Sequence, residues 1–441
     1  MNRQLLTVAV LLLNVAVSSG TAHYPSVDSL APASLDVATL ILQLDAPDPI
    51  VRVKAARALQ WPTTPSRDAS DALPALTLAL EDEDVVVFFP DFGVEYLTTG
   101  SEAAMALADL SDTAIPFLRL VLEQPEPSYG QRQAIRALGA IVDADRNDWH
   151  ASAGAVLRLV MNDLRRDESL RVGAALELGA RGERDAVPML IRGLRRMDVD
   201  GSRTMRLLAQ LGDRLAVQPL IAVLANGDAI TRQLAAEALG KIGDPVSIDA
   251  LRATLISDLW WPTRVEDAVA LGRLGDRAYP ELLQALHDVN DVQGAAAAAL
   301  GRIGDPAAAA ALGDALTRDN GWVAAEALVN LGEFGYTTLV DKLRAPDVEV
   351  RQTAAGAFKW MQKTRPLATI AALSPVVASN DDPRVRARAI LSLPPGVPDE
   401  LLPRLTAALS DRDKQVRSAA TRWFRTREEY LRQQLREERR R

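Results

Sequence analysis

The 441-residue sequence predicts an all-α fold, a solenoid of about ten to twelve stacked antiparallel helix pairs. Three observations predict it. The pattern A-L-G-x-x-G-D recurs, as ALGKIGDP at 238–245, ALGRLGDR at 270–277 and ALGRIGDP at 299–306, with weaker copies such as ELGARGER at 177–184 and LLAQLGDR at 207–214. Its acid falls at Asp112, Asp143, Glu183, Asp213, Asp244, Asp276, Asp305 and Glu333, at intervals of 31, 40, 30, 31, 32, 29 and 28 residues. One copy could be a phosphate-binding loop, but copies at a fixed period are a structural joint. A second element, Asp-x-x-x-Arg, recurs as Asp48 and Arg52, Asp167 and Arg171, Asp228 and Arg232, Asp347 and Arg351, Asp382 and Arg386, and Asp413 and Arg417. Third, Ala and Leu dominate while aromatics are 5%, a composition for helices packed closely through small residues.

Along the chain, residues 1–22 read as a secretory signal peptide. Arg3 supplies the positive start, Leu5 to Val17 the apolar core, and Ser18 to Ala22 a small-residue end. The apolar run is short for a bilayer span, so export with removal of the leader is expected, to the periplasm or the exterior. An uncleaved anchor is the other reading. Residues 23–46 form a linker and lead-in helix, 47–424 the repeats, and 425–441 an Arg/Glu-rich tail or capping helix.

Within a repeat, the Asp of Asp-x-x-x-Arg caps a helix by accepting backbone N–H bonds. Pro49 and Pro383 directly after it suit the first helical position, which needs no N–H. Alanine stands three residues after each Arg (Ala55, Ala174, Ala235, Ala354, Ala389, Ala420), and Leu or Phe seven after it (Leu59, Leu178, Leu239, Phe358, Leu393, Phe424). Those positions form the buried stripe. Gly then ends the helix and the acid starts the next. One helix pair cannot bury its own apolar face, so pairs stack. Residues 60–100 break the pattern: VVVFFPDFGVEYL at 85–97, with Pro90 and Gly93 inside, reads as a loop or distorted repeat.

The D-x-x-V-R element (DVEVR at 347–351), the paired alanines and A-L-G-x-I-G-D together resemble HEAT repeats, most closely the short HEAT-like repeats of the phycobilisome-lyase type. The resemblance covers roughly 47–424 and is strongest over 160–360. It implies an Asp–Arg ladder between repeats. It also implies either a protein-binding scaffold or, as the alternative, a lyase-like subunit assisting chromophore or cofactor attachment to another protein.

Composition removes many chemistries. Without cysteine there is no disulfide, iron–sulfur cluster or cysteine nucleophile. The three histidines, His23, His150 and His287, are far apart and form no metal-binding pair, so neither cofactor nor metal is expected. A net charge of −8 argues against general nucleic-acid binding. The run Glu81-Asp82-Glu83-Asp84 reads as a solvated turn rather than a catalytic acid cluster. No further long apolar stretch follows the leader, so no membrane span is expected in the mature chain.

Two candidate surfaces remain. The arginine row Arg52, Arg171, Arg232, Arg264, Arg351, Arg386 and Arg417 could bind an anion, but a residue fixed in nearly every unit is explained by the unit's own packing. The breaks are more informative. LWWPTR at 259–264 puts Trp260 where the capping Asp belongs and Trp261 beside it; DNGWV at 319–323 puts Gly321 at the arginine position, followed by Trp322. These tryptophans either fold over a neighbouring repeat or face a partner. The expectation is a non-enzymatic scaffold, a monomer or part of a complex. It would bind another protein through a concave face or one edge, with Trp260, Trp261 and Trp322 as anchors.

Overall fold

Every Asp-x-x-x-Arg segment opens a helix in the same way. The Asp Oδ1 accepts a backbone N–H two or three residues on, from Ile50, Ser169, Thr231, Glu349, Arg384 and Gln415, at 2.7–2.9 Å. The computed structural model describes residues 36–60, 69–88, 95–141, 152–194, 201–275, 278–317, 320–378 and 382–438. The expected leader, His23, His150, Asp143 and Asp276 lie outside the described residues.

The chain divides into two compact units, 1–197 and 198–441. The first contains α1 (Val37–Gln43), α2 (Pro49–Gln60), α3 (Leu73–Ala79), β1 (Val85–Phe88), β2 (Glu95–Thr98), α4 (Thr99–Asp109), α5 (Ile115–Leu122), α6 (Tyr129–Ala140), α7 (Ala153–Asn162), α8 (Glu168–Ala180) and α9 (Val187–Leu194). The second begins with α10 (Gly201–Leu211), α11 (Val217–Asn226), α12 (Ala229–Ile242), α13 (Ile248–Ser257), α14 (Trp261–Leu274), α15 (Tyr279–Ala285) and α16 (Asn290–Ile303). It continues with α17 (Ala308–Asp314), α18 (Gly321–Asn330), α19 (Glu333–Lys342), α20 (Val348–Met361), α21 (Pro366–Val377), α22 (Pro383–Ser392), α23 (Leu402–Ala408) and α24 (Lys414–Glu438).

Consecutive helices pair. Along the second unit α10, α12, α14, α16, α18, α20, α22 and α24 pack closely on one another, while their partner helices touch more sparsely. The two glycines of A-L-G-x-x-G-D explain both the spacing and the turn. A Cβ on Gly240, Gly272 or Gly301 would lie 2.6, 2.6 or 2.8 Å from the Cβ of Ala270, Ala299 or Ala327 on the next helix. Only a missing side chain lets those backbones approach so closely. The second glycine, as at Gly243 (φ 72°) and Gly304 (φ 77°), ends the helix in the left-handed conformation. The acid that follows accepts the N–H of the next turn: Leu215 to Asp213, Val246 to Asp244 and Ala307 to Asp305, at 2.9–3.0 Å.

Three regions depart from expectation. Residues 85–97 are neither loop nor helix where described: β1 and β2 form an antiparallel hairpin with Val85 opposite Thr98 and Val86 opposite Leu97. Three successive valines favour a strand, and burial alternates with its period of two. Val85 and Val87 are exposed, while Val86 is buried against Val53 of α2 with Leu97 alongside. The run 81–84 is not simply a solvated turn: Asp82 and Asp84 bind Arg52, and Glu81 accepts from the Ser128 hydroxyl and the Gly130 N–H. At the end of the chain α24 runs unbroken through residue 425. There Trp423, not Phe424, is the buried aromatic, and its Nε1 donates to the Leu393 carbonyl at 3.3 Å. No helix among the described residues is long and apolar enough to cross a membrane.

Candidate functional site

The arginine row is bound up with the repeat itself, but not through the Asp four residues before each Arg. Asp228 caps α12; Arg232 instead reaches the next repeat, giving Nε and Nη2 to Asp258 at 2.7 and 2.8 Å. Its Nη1 donates back to the Gly227 carbonyl at 2.9 Å. Arg264 repeats the arrangement with Asp288 at 2.7 Å and the Asp258 carbonyl at 2.6 Å. Asp258 therefore joins two arginines, one through its carboxylate and one through its backbone. It also accepts the Trp260 N–H at 2.8 Å, while α14 itself starts without a side-chain cap.

The same bonding recurs down the chain. Arg52 reaches Asp82 and the Ala46 carbonyl; Arg386 reaches Asp411, whose carbonyl accepts from Arg417. Arg171 donates to the Met161 carbonyl, and Arg351 to the carbonyls of Ala345 and Pro346. Arg232 and the Trp260 N–H hold the Asp258 carboxyl below the usual carboxylate range despite its burial. For Arg52, Arg232, Arg264 and Arg386 these charge-assisted bonds fix one repeat against the next and occupy the guanidinium that an anion would need.

The tryptophans are presented, not folded away: Trp260 and Trp261 are each 42% exposed and Trp322 56%. They fall in two places. Trp260 and Trp261 stand at the α13–α14 turn beside Leu259, which is 97% exposed. The Arg232–Asp258 and Arg264–Asp288 bonds set that turn between the neighbouring ones, which carry exposed Ile230 and Val289. The result is an apolar strip along one edge of three repeats. Trp322 opens α18 and lines a separate cavity of about 460 Å³ that contains neither Trp260 nor Trp261. Opposite it stands Trp360 of α20, 45% exposed, with Lys359, Glu349 and Arg388. Nothing in the sequence marked Trp360, near the end of α20, or Arg388, in the middle of α22, because no repeat rule fails at either.

A third residue that sequence reasoning passed over is Asp267. It stands three after Arg264, where the other repeats have a fully buried alanine, and it is itself fully buried. Neither carboxyl oxygen accepts a hydrogen bond, and the neighbouring Thr263 hydroxyl is unpartnered too. The Thr254 hydroxyl facing it sits 3.2 Å from the carbonyls of Ala250 and Leu251 in its own helix. Burial pushes the Asp267 carboxyl well above the usual carboxylate range; the facing Thr254 hydroxyl and Arg264 oppose the rise, and nearby Asp258 and Glu266 add to it.

A cavity of about 780 Å³ in the first unit, between α5 and α7, is lined mostly by charges that already have partners. Arg119 pairs with Glu123 at 3.1 Å, Arg158 with Glu183 at 2.6 Å and Arg166 with Asp163 at 3.4 Å. Among the described residues no three His, Cys, Asp or Glu gather in a way that could hold a metal ion.

Comparison with known proteins agrees with this geometry. The family model for HEAT repeats matches residues 202–268 and 255–332. Importin beta, crystallised in a polyethylene glycol condition, is 14% identical, with 89% of this chain and 72% of that chain covered at a TM-score of 0.50. Kap121p bound to RanGTP is 15% identical, with 88% of this chain covered at a TM-score of 0.51; the match spans 48% of Kap121p. At such identities the likeness is one of fold. No curated protein matches the sequence. Residues 202–332 match the family model for HEAT repeats, and the chain has an all-α solenoid fold.

Proposed function

We propose that the protein is a scaffold that binds another protein, and that the edge strip Ile230, Leu259, Trp260, Trp261 and Val289 is where it does so. The observation that carries this reading is Leu259, 97% exposed and followed on the same turn by two half-exposed tryptophans. Exposed apolar residues grouped along a rigid edge cost solubility and mark an interaction surface. Aromatic anchors held on a rigid element lose little entropy when a partner covers them. Importin beta and Kap121p share the fold, and one of those structures holds Kap121p bound to RanGTP. That supports protein binding as a use of such a fold.

The leader motif Arg3, Leu5–Val17 and Ala22 supports export to the periplasm or exterior; N-terminal sequencing of protein isolated from its host should find the first 20–22 residues gone. The lyase-like reading rests on the resemblance of the short repeats alone, and its signature would be pigment bound after co-expression with a phycobiliprotein. The scaffold reading is tested by affinity capture from the native extract with the wild-type chain and with Leu259→Ser/Trp261→Ala. A protein enriched by the first and lost with the second is the expected result. Identical captures by a variant with unchanged helix content would remove the edge from the account.

A further inference from the structure

We propose that the cleft across α18, α20, α22 and α24 binds an acidic peptide segment carrying an aromatic or proline residue. The proposal rests on the scaffold reading and places a second, chemically distinct contact on the molecule. The cavity between Trp322 and Trp360 continues into another of about 430 Å³, the two sharing Gln352 and Arg388. Their walls carry Lys359, Arg384, Arg388, Lys414 and Arg422 against one acid, Glu349. The chain as a whole has net charge −8, so this basic run opposes the global balance.

The pairing state of these cations sets them apart. Arg384 is bound by Asp382 at 3.1 Å. Lys359, Arg388, Lys414 and Arg422 are exposed and have no carboxylate within ion-pair distance among the described residues, whereas the ladder arginines of this unit are taken up. The Arg388 stem lies over Gly356, where a Cβ would come within 3.2 Å of its Cδ, so the guanidinium is propped at the junction of the two cavities. Like charges grouped along one cleft repel, and an acidic ligand relieves that repulsion. The two indoles add flat apolar faces for an aromatic or proline ring. A short cleft with four free cations on an acidic protein suits a peptide better than a nucleic acid, whose long phosphate track requires an extended basic footprint.

The test uses the full chain and a short fluorescein-labelled peptide rich in Asp and Glu with a central Phe, followed by anisotropy. Binding that weakens with added salt, and that quenches or shifts tryptophan emission, is expected. Lys359→Glu/Arg388→Glu, both exposed positions, should weaken it about tenfold or more with the thermal midpoint unchanged. Trp322→Ala/Trp360→Ala should weaken it comparably, while Leu259→Ser/Trp261→Ala should leave it intact. That last variant separates the cleft from the edge: peptide binding retained with partner capture lost leaves the cleft standing and shows the edge to be a separate contact. Equal binding of the Asn/Gln version of the peptide, no binding at low salt, or tighter binding of a single-stranded oligonucleotide or of anionic vesicles would each overturn the proposal.

Discussion

Arg232 and Arg388 belong to helices of the same closely packed row, yet one is bound on every side and the other on none. Arg232 stands four residues after its capping Asp, within reach of the Gly227 carbonyl behind it and Asp258 ahead. Arg388 stands six after Asp382 and rests its stem over Gly356, where no carboxylate meets it. The difference teaches how charge is allotted in this chain. An arginine in register with the repeat bonds to the turn behind it or to the next repeat ahead; one out of register is left for something else. Ala235 and Asp267 make the same point in the core. They occupy one repeat position, and only the aspartate lacks a partner.

The largest effect expected from breaking the ladder is that of Arg232→Ala. It leaves Asp258, only 3% exposed at its side chain, without its counter-ion. The loss should be about 3 kcal/mol in denaturant unfolding, with peptide binding at the cleft unchanged. The same substitution should also shift the acid limb. Asp258 contributes stability above the carboxylate's unfolded value and loses it as pH falls through its depressed folded value, so the variant should lose less stability on acidification.

Asp267→Ala works in the opposite direction. It restores the alanine of the other repeats and should stabilise by about 2 kcal/mol near neutral pH, by removing a buried unpartnered carboxyl. Because the folded carboxyl holds its proton more tightly than the unfolded one, the parent is least penalised at acid pH and loses stability as pH rises. The variant's advantage should therefore shrink toward pH ~4 and grow above it, as read from melts across pH.

The two joint glycines should separate next. Gly240→Ala pushes a methyl to within 2.6 Å of Ala270 and should cost about 2 kcal/mol. Gly243→Ala meets nothing within 4 Å but forces alanine to a φ of 72°, for about 1 kcal/mol. The smallest effect belongs to Arg388→Ala, expected to move stability by less than about 0.5 kcal/mol while weakening the acidic peptide.

The period, the caps and the helix-ending glycine were legible in the sequence, because a repeat prints its packing rules many times; the close approach at the first glycine was not. Asp228, Asp244 and Gly243 do what their spacing implies. What spacing could not give is the partner of each arginine. Arg232 and Asp228 lie near in sequence, but a side chain leaving the first turn of one helix meets the loop of the next repeat, so its ion partner is Asp258. The hairpin strands within 85–98 were read as a loop or distorted repeat, because their alternation spans only four residues a strand. Of the candidate surfaces, the departures from pattern found Trp260, Trp261 and Trp322. Nothing local marked Trp360 or Arg388, whose importance comes from the cleft they share, a product of stacking.

The claim that in-register arginines belong to the fold is tested most directly by a double-mutant cycle on Arg232 and Asp258, measured by urea unfolding. Arg232→Ala, Asp258→Ala and the double variant should show a coupling of more than about 1 kcal/mol, the double costing clearly less than the two singles summed. Additive costs would show that the pair does not hold the repeats together, and would contradict the account.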